Sequence, residues 1–345
     1  MSIHNASREF IDNLEYVGVV LDCEGLHTWG TSVVQGNDGL FHLYACQWPV
    51  NNSFRAWGFY KWDQESLVNY YTSTSPKGPY RFINTVIGSR PGGDRDGVWN
   101  RYTAHNPEVK KINEHYVMTY ISYPEIDDTP NAKIGMKIAK HPEGPWRDIG
   151  ENGMVMQKSA KKELPSFESL RGTDNPSLVF YLGKYYLFFM YNPGPKDNTT
   201  LGVAVADSIS GPYIEQVSPA LVPGAEKKVE DICAFINNGT LAAVMCDNFG
   251  IVTPNGGIYC ELDKTEFELS ENISMVIKSI AWQTRPEMFP DQDFSHGTQV
   301  YGANKFERPK ILSIDNIPSY MFLPSGFNDE GDQRTVLHAF KIKKT

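Results

Sequence analysis

The chain has little cysteine, no cluster of positive charge and no long apolar run, and each shortage removes a class of function. No apolar stretch approaches the ~18 residues that a membrane-spanning helix needs. The five cysteines, Cys23, Cys46, Cys233, Cys246 and Cys260, are odd in number and form no CxxC or other zinc-type spacing. Neither a disulfide framework nor a cysteine-built metal centre is indicated, and free, buried thiols are expected instead. Basic residues number 32 against 41 acidic ones, for a net charge of −9, and no Lys/Arg block occurs, so the footprint of a nucleic-acid binder is missing. The opening "MSIHNASREFIDNLEY" lacks the apolar segment of a secretory signal. That leaves a cytosolic protein, or a periplasmic or secreted one whose signal has been removed. Long stripes of 3.6-residue period are absent too, which argues against a helical solenoid.

What is abundant is aromatic. Seven Trp, 18 Tyr and 18 Phe make 12% of the chain, and together with Val and Ile they cluster in short alternating runs, as strands do. A chain of 345 residues can bury a large core, either as two average domains or as one large all-β domain. Internal repeats favour the second. Gly-Pro-aromatic occurs in "TSPKGPY", "KHPEGPW" and "DSISGPY", with the Gly-Pro pairs 66 and 67 residues apart, and reads as a turn leading into a strand. A second repeat, strand–tight turn–strand, occurs as "TSVVQGNDGLFHLYAC", "NPEVKKINEHYVMTYI", "NPSLVFYLGKYYLFFM", "DICAFINNGTLAAVMC" and "RPKILSIDNIPSYMFL". Repeats of this size, with about four strands each, are propeller blades. The expected fold is a single all-β domain over residues 1–345, a five-bladed β-propeller of four-stranded antiparallel blades. The first strand of each hairpin should be innermost, and the ring should close by pairing "YVGVVLD" with "TVLHAFKIKK", because an open ring leaves strand edges exposed.

In such a ring the starts of the innermost strands crowd around one mouth. With the repeats aligned at Ser32, Pro107, Pro176, Ile232 and Pro309, the position two before the marker holds Gly30, His105, Asp174, Glu230 and Glu307. The next holds Thr31, Asn106, Asn175, Asp231 and Arg308. By strand alternation the two sets should face differently, which sends Asp231 away from the channel, there to pair with a donor such as Arg308. "HNP" and "DNP" also fit simple turn signals. Three acids in one register across separate blades nevertheless point to a site, since clustered carboxylates repel and raise one another's pKa.

These residues carry a resemblance. "WGTSVV", "GLFHLYACQWP", "HNPEV", "DNPSLV", "GVAVADSISGPY", "VEDICAF" with the following "CDNFG", and "ERPKIL", in that order, are similar to the five-bladed propeller glycoside hydrolases, the superfamily of families 43 and 117 and the invertase-like enzymes. The resemblance implies an exo-acting glycosidase on an oligo- or polysaccharide, with no required cofactor and with a structural cation in the channel left open. Family 43 enzymes are inverting, with an Asp base in blade one, an orienting Asp in blade three and a Glu acid in blade four. Glu230 matches the acid. Asp174 matches the orienting group, although Asn175 intervenes where the family has Asp-Pro. In blade one Trp29, Gly30 and Thr31 stand where the base is expected, so a carboxylate from elsewhere should fill that space, with Asp22, Glu24 and Glu307 as candidates and His105 as a further acid or base.

Trp29, Trp48 and Trp57 are candidates for stacking on sugar rings, and packing is their competing fate. Asn106, Asn175, Asp231 and Arg308 are candidate substrate contacts, as are His296 in the long loop before blade five and Asp247 with Asn248 after the blade-four hairpin. Two rivals stand beside the hydrolase. One is a carbohydrate-binding propeller that has lost catalysis. The other is a glycosyl-transferring or phosphorolytic enzyme on the same scaffold. Sugar, anomeric outcome and oligomeric state are not encoded legibly.

Overall fold

The computed structural model of the chain describes residues 13–50, 65–88, 99–100, 103–124, 131–150, 152–193, 200–216, 229–247, 256–261, 280–283, 307–325 and 335–343. Trp57, His296 and Asn248 lie outside them, as do the side chains of Asp247 and Cys260.

The described strands are antiparallel and fall into five sheets in a propeller arrangement. After β1 (Leu14–Leu21), the first sheet holds β2 (Leu26–Gln35), β3 (Phe41–Pro49), β4 (Leu67–Ser73) and β5 (Arg81–Ile87). The second holds β6 (His105–Ile112), β7 (His115–Ser122), β8 (Lys133–Ala139), β9 (Arg147–Asp148) and β10 (Met154–Met156). The third holds β11 (Asp174–Tyr181), β12 (Lys184–Tyr191), β13 (Thr200–Ala206) and β14 (Ile214–Glu215). The fourth holds β15 (Val229–Asn237), β16 (Thr240–Asp247), β17 (Gly256–Glu261) and β18 (Ile280–Gln283). The last holds β19 (Lys310–Ile314), β20 (Ile317–Ser325) and β21 (Val336–Ile342), and β1 completes it.

Each repeated hairpin is the first two strands of a sheet: β2–β3, β6–β7, β11–β12, β15–β16 and β19–β20. Strands β2, β6, β11, β15 and β19 touch in succession, and β19 returns to β2, so the first strand of each sheet lines the central channel. Closure uses both chain ends. β1 pairs antiparallel with β21 from Leu14↔Ile342 to Leu21↔Leu337, which buries Val20 and Leu21 against Leu312, Phe322, Leu337 and Ala339.

The core lies between sheets, because each sheet is covered on both faces. Strand β12, "KYYLFFMY", shows how a period of two serves this. Leu187, Phe189 and Tyr191 pack toward Ile121, Ile134 and Met136 of the second sheet. Tyr186, Phe188 and Met190 pack toward Ile232, Ala243 and Met245 of the fourth. Burying each large side chain contributes about 1.5–3 kcal/mol, so the alternating aromatic runs are what hold sheet to sheet. The three Gly-Pro repeats are cis peptide bonds that lead into β5, β9 and β14, and Gly78, Gly144 and Gly211 all have positive φ, which favours glycine there.

Candidate active site at the channel mouth

One backbone device recurs at the start of the inner strands. Gly30, Asn106, Asn175, Asp231 and Arg308 all have left-handed φ, between 40° and 62°. In four of the five sheets the ladder slips there: between Trp29 and Thr31, His105 and Glu108, Asp174 and Ser177, and Glu230 and Cys233. This is a β-bulge, which breaks the simple alternation of side chains. Pro107 and Pro176 sit inside the slip, where a missing N–H costs no ladder bond.

The bulge corrects two sequence-based expectations. Gly30 belongs with Asn106, Asn175, Asp231 and Arg308, so in blade one the residue equivalent to His105, Asp174, Glu230 and Glu307 is Trp29, and the proper marker is Thr31. And Asp231 does not turn away: it is buried, 3% exposed, and bonded across the channel. The alternation that would have sent it outward does not operate through a bulge.

The left-handed residues make a bonded network that spans four sheets. Asn106 Nδ2 donates to Asn175 Oδ1 at 2.6 Å, and Asn175 Nδ2 donates to Asp231 Oδ1 at 2.7 Å. Arg308 Nη1 donates to Asn175 Oδ1 at 2.9 Å and to Asp231 Oδ1 at 2.7 Å. In the remaining sheet, the first, Gly30 leaves room. A Cβ there would lie 2.4 Å from Asn106 Oδ1 and 2.8 Å from its Cα. The space beside Gly30 is therefore filled by the Asn106 amide and not by a carboxylate. Asp22 and Glu24 are exposed on the segment leading to β2. Sulfur backs the network: Asp231 N donates to Met190 Sδ at 3.1 Å and Arg308 N to Cys246 Sγ at 3.2 Å. Burial pushes the Cys46 thiol up to about 12, and Cys23, Cys46, Cys233 and Cys246 are all free thiols.

Around this floor stand the mouth residues. Glu230 is partly exposed toward the mouth yet surrounded by protein, and burial, then Asp231 and Glu307, push its pKa up to about 8, with Arg308 opposing and Asp174 adding. Asp174 is raised to about 6, first by burial and further by Asp231, against Arg308 and Arg171. Its Oδ1 is buried without a hydrogen-bond partner among the described residues. His105 is 2% exposed, and burial, aided by Arg308, holds its pKa well below the usual value, so it is neutral. Ser66 Oγ donates its one proton to Ala104 O and lies 2.9 Å from His105 Nδ1. The imidazole is thereby held in place by Ser66 at one ring nitrogen. Trp29 and Trp48 are buried, 1% and 2% exposed. The Arg308 guanidinium lies over the Trp29 ring at 5.9 Å, while Trp48 meets His27 and His105. Both tryptophans wall the site instead of presenting an open face.

Sequence reasoning missed a buried ion-pair cluster that bridges inner strands below the mouth. Glu108, 2% exposed, is paired with Lys110 at 3.0 Å and Lys310 at 2.9 Å and accepts from Ser177 Oγ and Leu178 N. Burial alone would raise its pKa, but the two lysines outweigh it and the net shift is downward. The signal was present: Glu108 and Lys310 share one register, opposite charges in strands that otherwise read as core. Two ammonium groups therefore already neutralise this carboxylate. Among the described residues no group of three or more His, Cys, Asp and Glu side chains is arranged to hold a metal. A cavity of about 820 Å³ opens at the opposite, turn end of the channel, lined by Val33, Val109, Phe235 and Leu312, with Asp315 as its sole carboxylate. The acids are elsewhere, at the mouth.

No family profile matches the chain, and no curated protein matches it in sequence. Solved structures do match in fold. A family 117 glycoside hydrolase of the marine bacterium Zobellia galactanivorans superposes with a TM-score of 0.66 at 12% identity, over 96% of this chain and 91% of that one. A family 43 β-xylosidase/α-arabinofuranosidase from a compost microbial metagenome gives 0.60 at 12% identity, over 94% of each chain. The β-1,2-mannobiose phosphorylase of Listeria innocua, in complex with β-1,2-mannobiose, gives 0.56 at 11% identity, over 96% of this chain and 97% of that one. The fold is that of the propeller glycoside hydrolases and related enzymes.

Proposed function

We propose that the chain is a five-bladed, single-domain glycosidase that cleaves oligo- or polysaccharides from a chain end, with Glu230 as general acid. The observation that carries this reading is a carboxyl group held protonated near neutrality at the mouth of the channel, because glycoside cleavage needs one protonated group to donate to the leaving oxygen. Glu307, whose charge Glu230 feels, is the carboxylate left to activate water. His105 is too weakly basic for that task. Asp174 Oδ1 stands ready to accept a sugar hydroxyl. The buried Glu108–Lys110–Lys310 cluster across the channel supports a site that takes a chain end and not the middle of a polymer.

One observation favours a second reading. Among the described residues, the space beside Gly30 holds the Asn106 amide and no carboxylate, and an anionic nucleophile such as phosphate needs no base; a phosphorylase is among the structures that match in fold. The test is product release from a panel of oligosaccharides by wild type and Glu230→Gln, with and without phosphate. The expected outcome is release of single sugars without phosphate and a loss of at least ~10²-fold in Glu230→Gln, smallest for substrates with good leaving groups. A strict phosphate requirement selects phosphorolysis. Binding without release in either condition makes the chain a lectin, and near-normal turnover of an unactivated glycoside by Glu230→Gln removes that residue from the acid role.

A further inference from the structure

An arginine beside a glutamic acid ordinarily ionises it, yet Arg308 and Glu230 share the channel mouth. We propose that Asp231 is a positioning residue whose carboxylate, with the amide oxygen of Asn175, anchors the Arg308 guanidinium across the channel floor and so keeps that cation from becoming the counter-ion of Glu230. The anchor is built from bonds with settled directions. Asn175 Oδ1 accepts from Asn106 and Arg308, which orients its Nδ2 toward Asp231 Oδ1, where Arg308 Nη1 also arrives. The guanidinium is steadied from another side by the Trp29 ring. All of this depends on the left-handed backbone at 175, 231 and 308, which turns consecutive side chains into one channel. Among the described residues, the charged groups that act on Glu230 are Asp231 from its own strand, Glu307 and Arg308 from the segment entering β19, and Asp174 at the head of β11. Three of the four oppose ionisation, and the fourth is the one the network holds. Released, a cation within ~4–6 Å lowers a carboxyl pKa by about 1–3 units.

The inference matters for turnover only if Glu230 is the acid, so the test reads protonation directly and needs no substrate. The Glu230 carboxyl carbon is titrated by ¹³C NMR in the intact chain, assigned by its loss in Glu230→Gln. Asn175→Gly keeps the left-handed backbone and changes no charge; it should lower the midpoint by ~1 unit, about tenfold in the protonation equilibrium. Asp231→Asn should lower it further. Adding Arg308→Met to Asn175→Gly should recover most of the drop, while in wild type the same substitution should raise the midpoint less. Should Asn175→Gly fail to fold, Asp231→Asn with and without Arg308→Met decides the matter in the same way. The proposal is overturned if Asn175→Gly leaves the midpoint within ~0.3 units, or if Arg308→Met has the same effect in both backgrounds, since the anchor would then not govern the cation.

Discussion

Glu230 is uncomfortable as an anion in the folded chain, and that discomfort has a sign. Its folded pKa is raised to about 8 from 4.5. Between those values the native state binds a proton that the unfolded state has lost, so the contribution to stability is fully present below the unfolded pKa and is lost as pH rises through the folded one. Asp174, raised to about 6, behaves alike over a lower window. Glu108 has the opposite sign: its depressed pKa adds stability above the ordinary carboxylate range that is lost in acid. Glu230→Gln should therefore melt progressively higher relative to wild type as pH climbs from about 5 to 8, by ~2 °C or more; scanning calorimetry across that range would contradict this with a pH-independent difference. Gly30 makes the reverse point. Its φ of +40° and the 2.4 Å approach of Asn106 leave no room for a Cβ, so Gly30→Ala should cost about 2–5 kcal/mol from overpacking and backbone strain. A urea midpoint like that of wild type would show that Asn106 yields.

The inner strands combine two demands that a regular strand cannot meet together. They must pack apolar side chains between neighbouring sheets and also turn polar ones into a shared channel. The bulges resolve this, and they explain which parts of the site could be read in advance. Glu230 and Asp174, and beside them Asn175, Asp231 and Arg308, were identifiable because hairpin repeats put them in two adjacent registers. That Asp231 points inward, and that Trp29 occupies the mouth position of blade one, could not be read, since strand alternation is a local rule and a left-handed residue cancels it. Glu108 and Lys310 lie on different strands, β6 and beside β20 on β19, and their pairing is a cross-channel event. Lys310→Met should leave Glu108 with Lys110 alone, destabilising by about 3 kcal/mol, most of it from the buried charge left short of a partner. Glu108→Gln added to Lys310→Met should recover part of the loss; chemical denaturation of both variants would reveal a failure to recover.

Closure of the ring depends on residues at opposite ends of the chain. β1 covers the edge of β21 and supplies Val20 and Leu21 to the core beside β2. Deleting residues 1–21 should expose the Val336–Ile342 edge and uncover that cluster, giving a chain that self-associates and melts well below wild type. Size-exclusion chromatography and circular dichroism would decide, and a monomer with unchanged melting would mean that closure comes from the inner strands alone.

The all-β class, the repeating hairpins, the Gly-Pro turns and the pairing of chain ends were all determined by the sequence itself, because strand periodicity and turn chemistry are local and each repeat states them again. So was the clustering of Glu230 with Asp174 and Glu307, since equal registers in repeated units must converge on one axis. Tertiary structure alone decided what fills the space beside Gly30, which way Asp231 faces, and which lysines meet on Glu108. Those outcomes depend on atoms brought together from strands tens to hundreds of residues apart, where the distance across the channel, and not spacing along the chain, selects the partner.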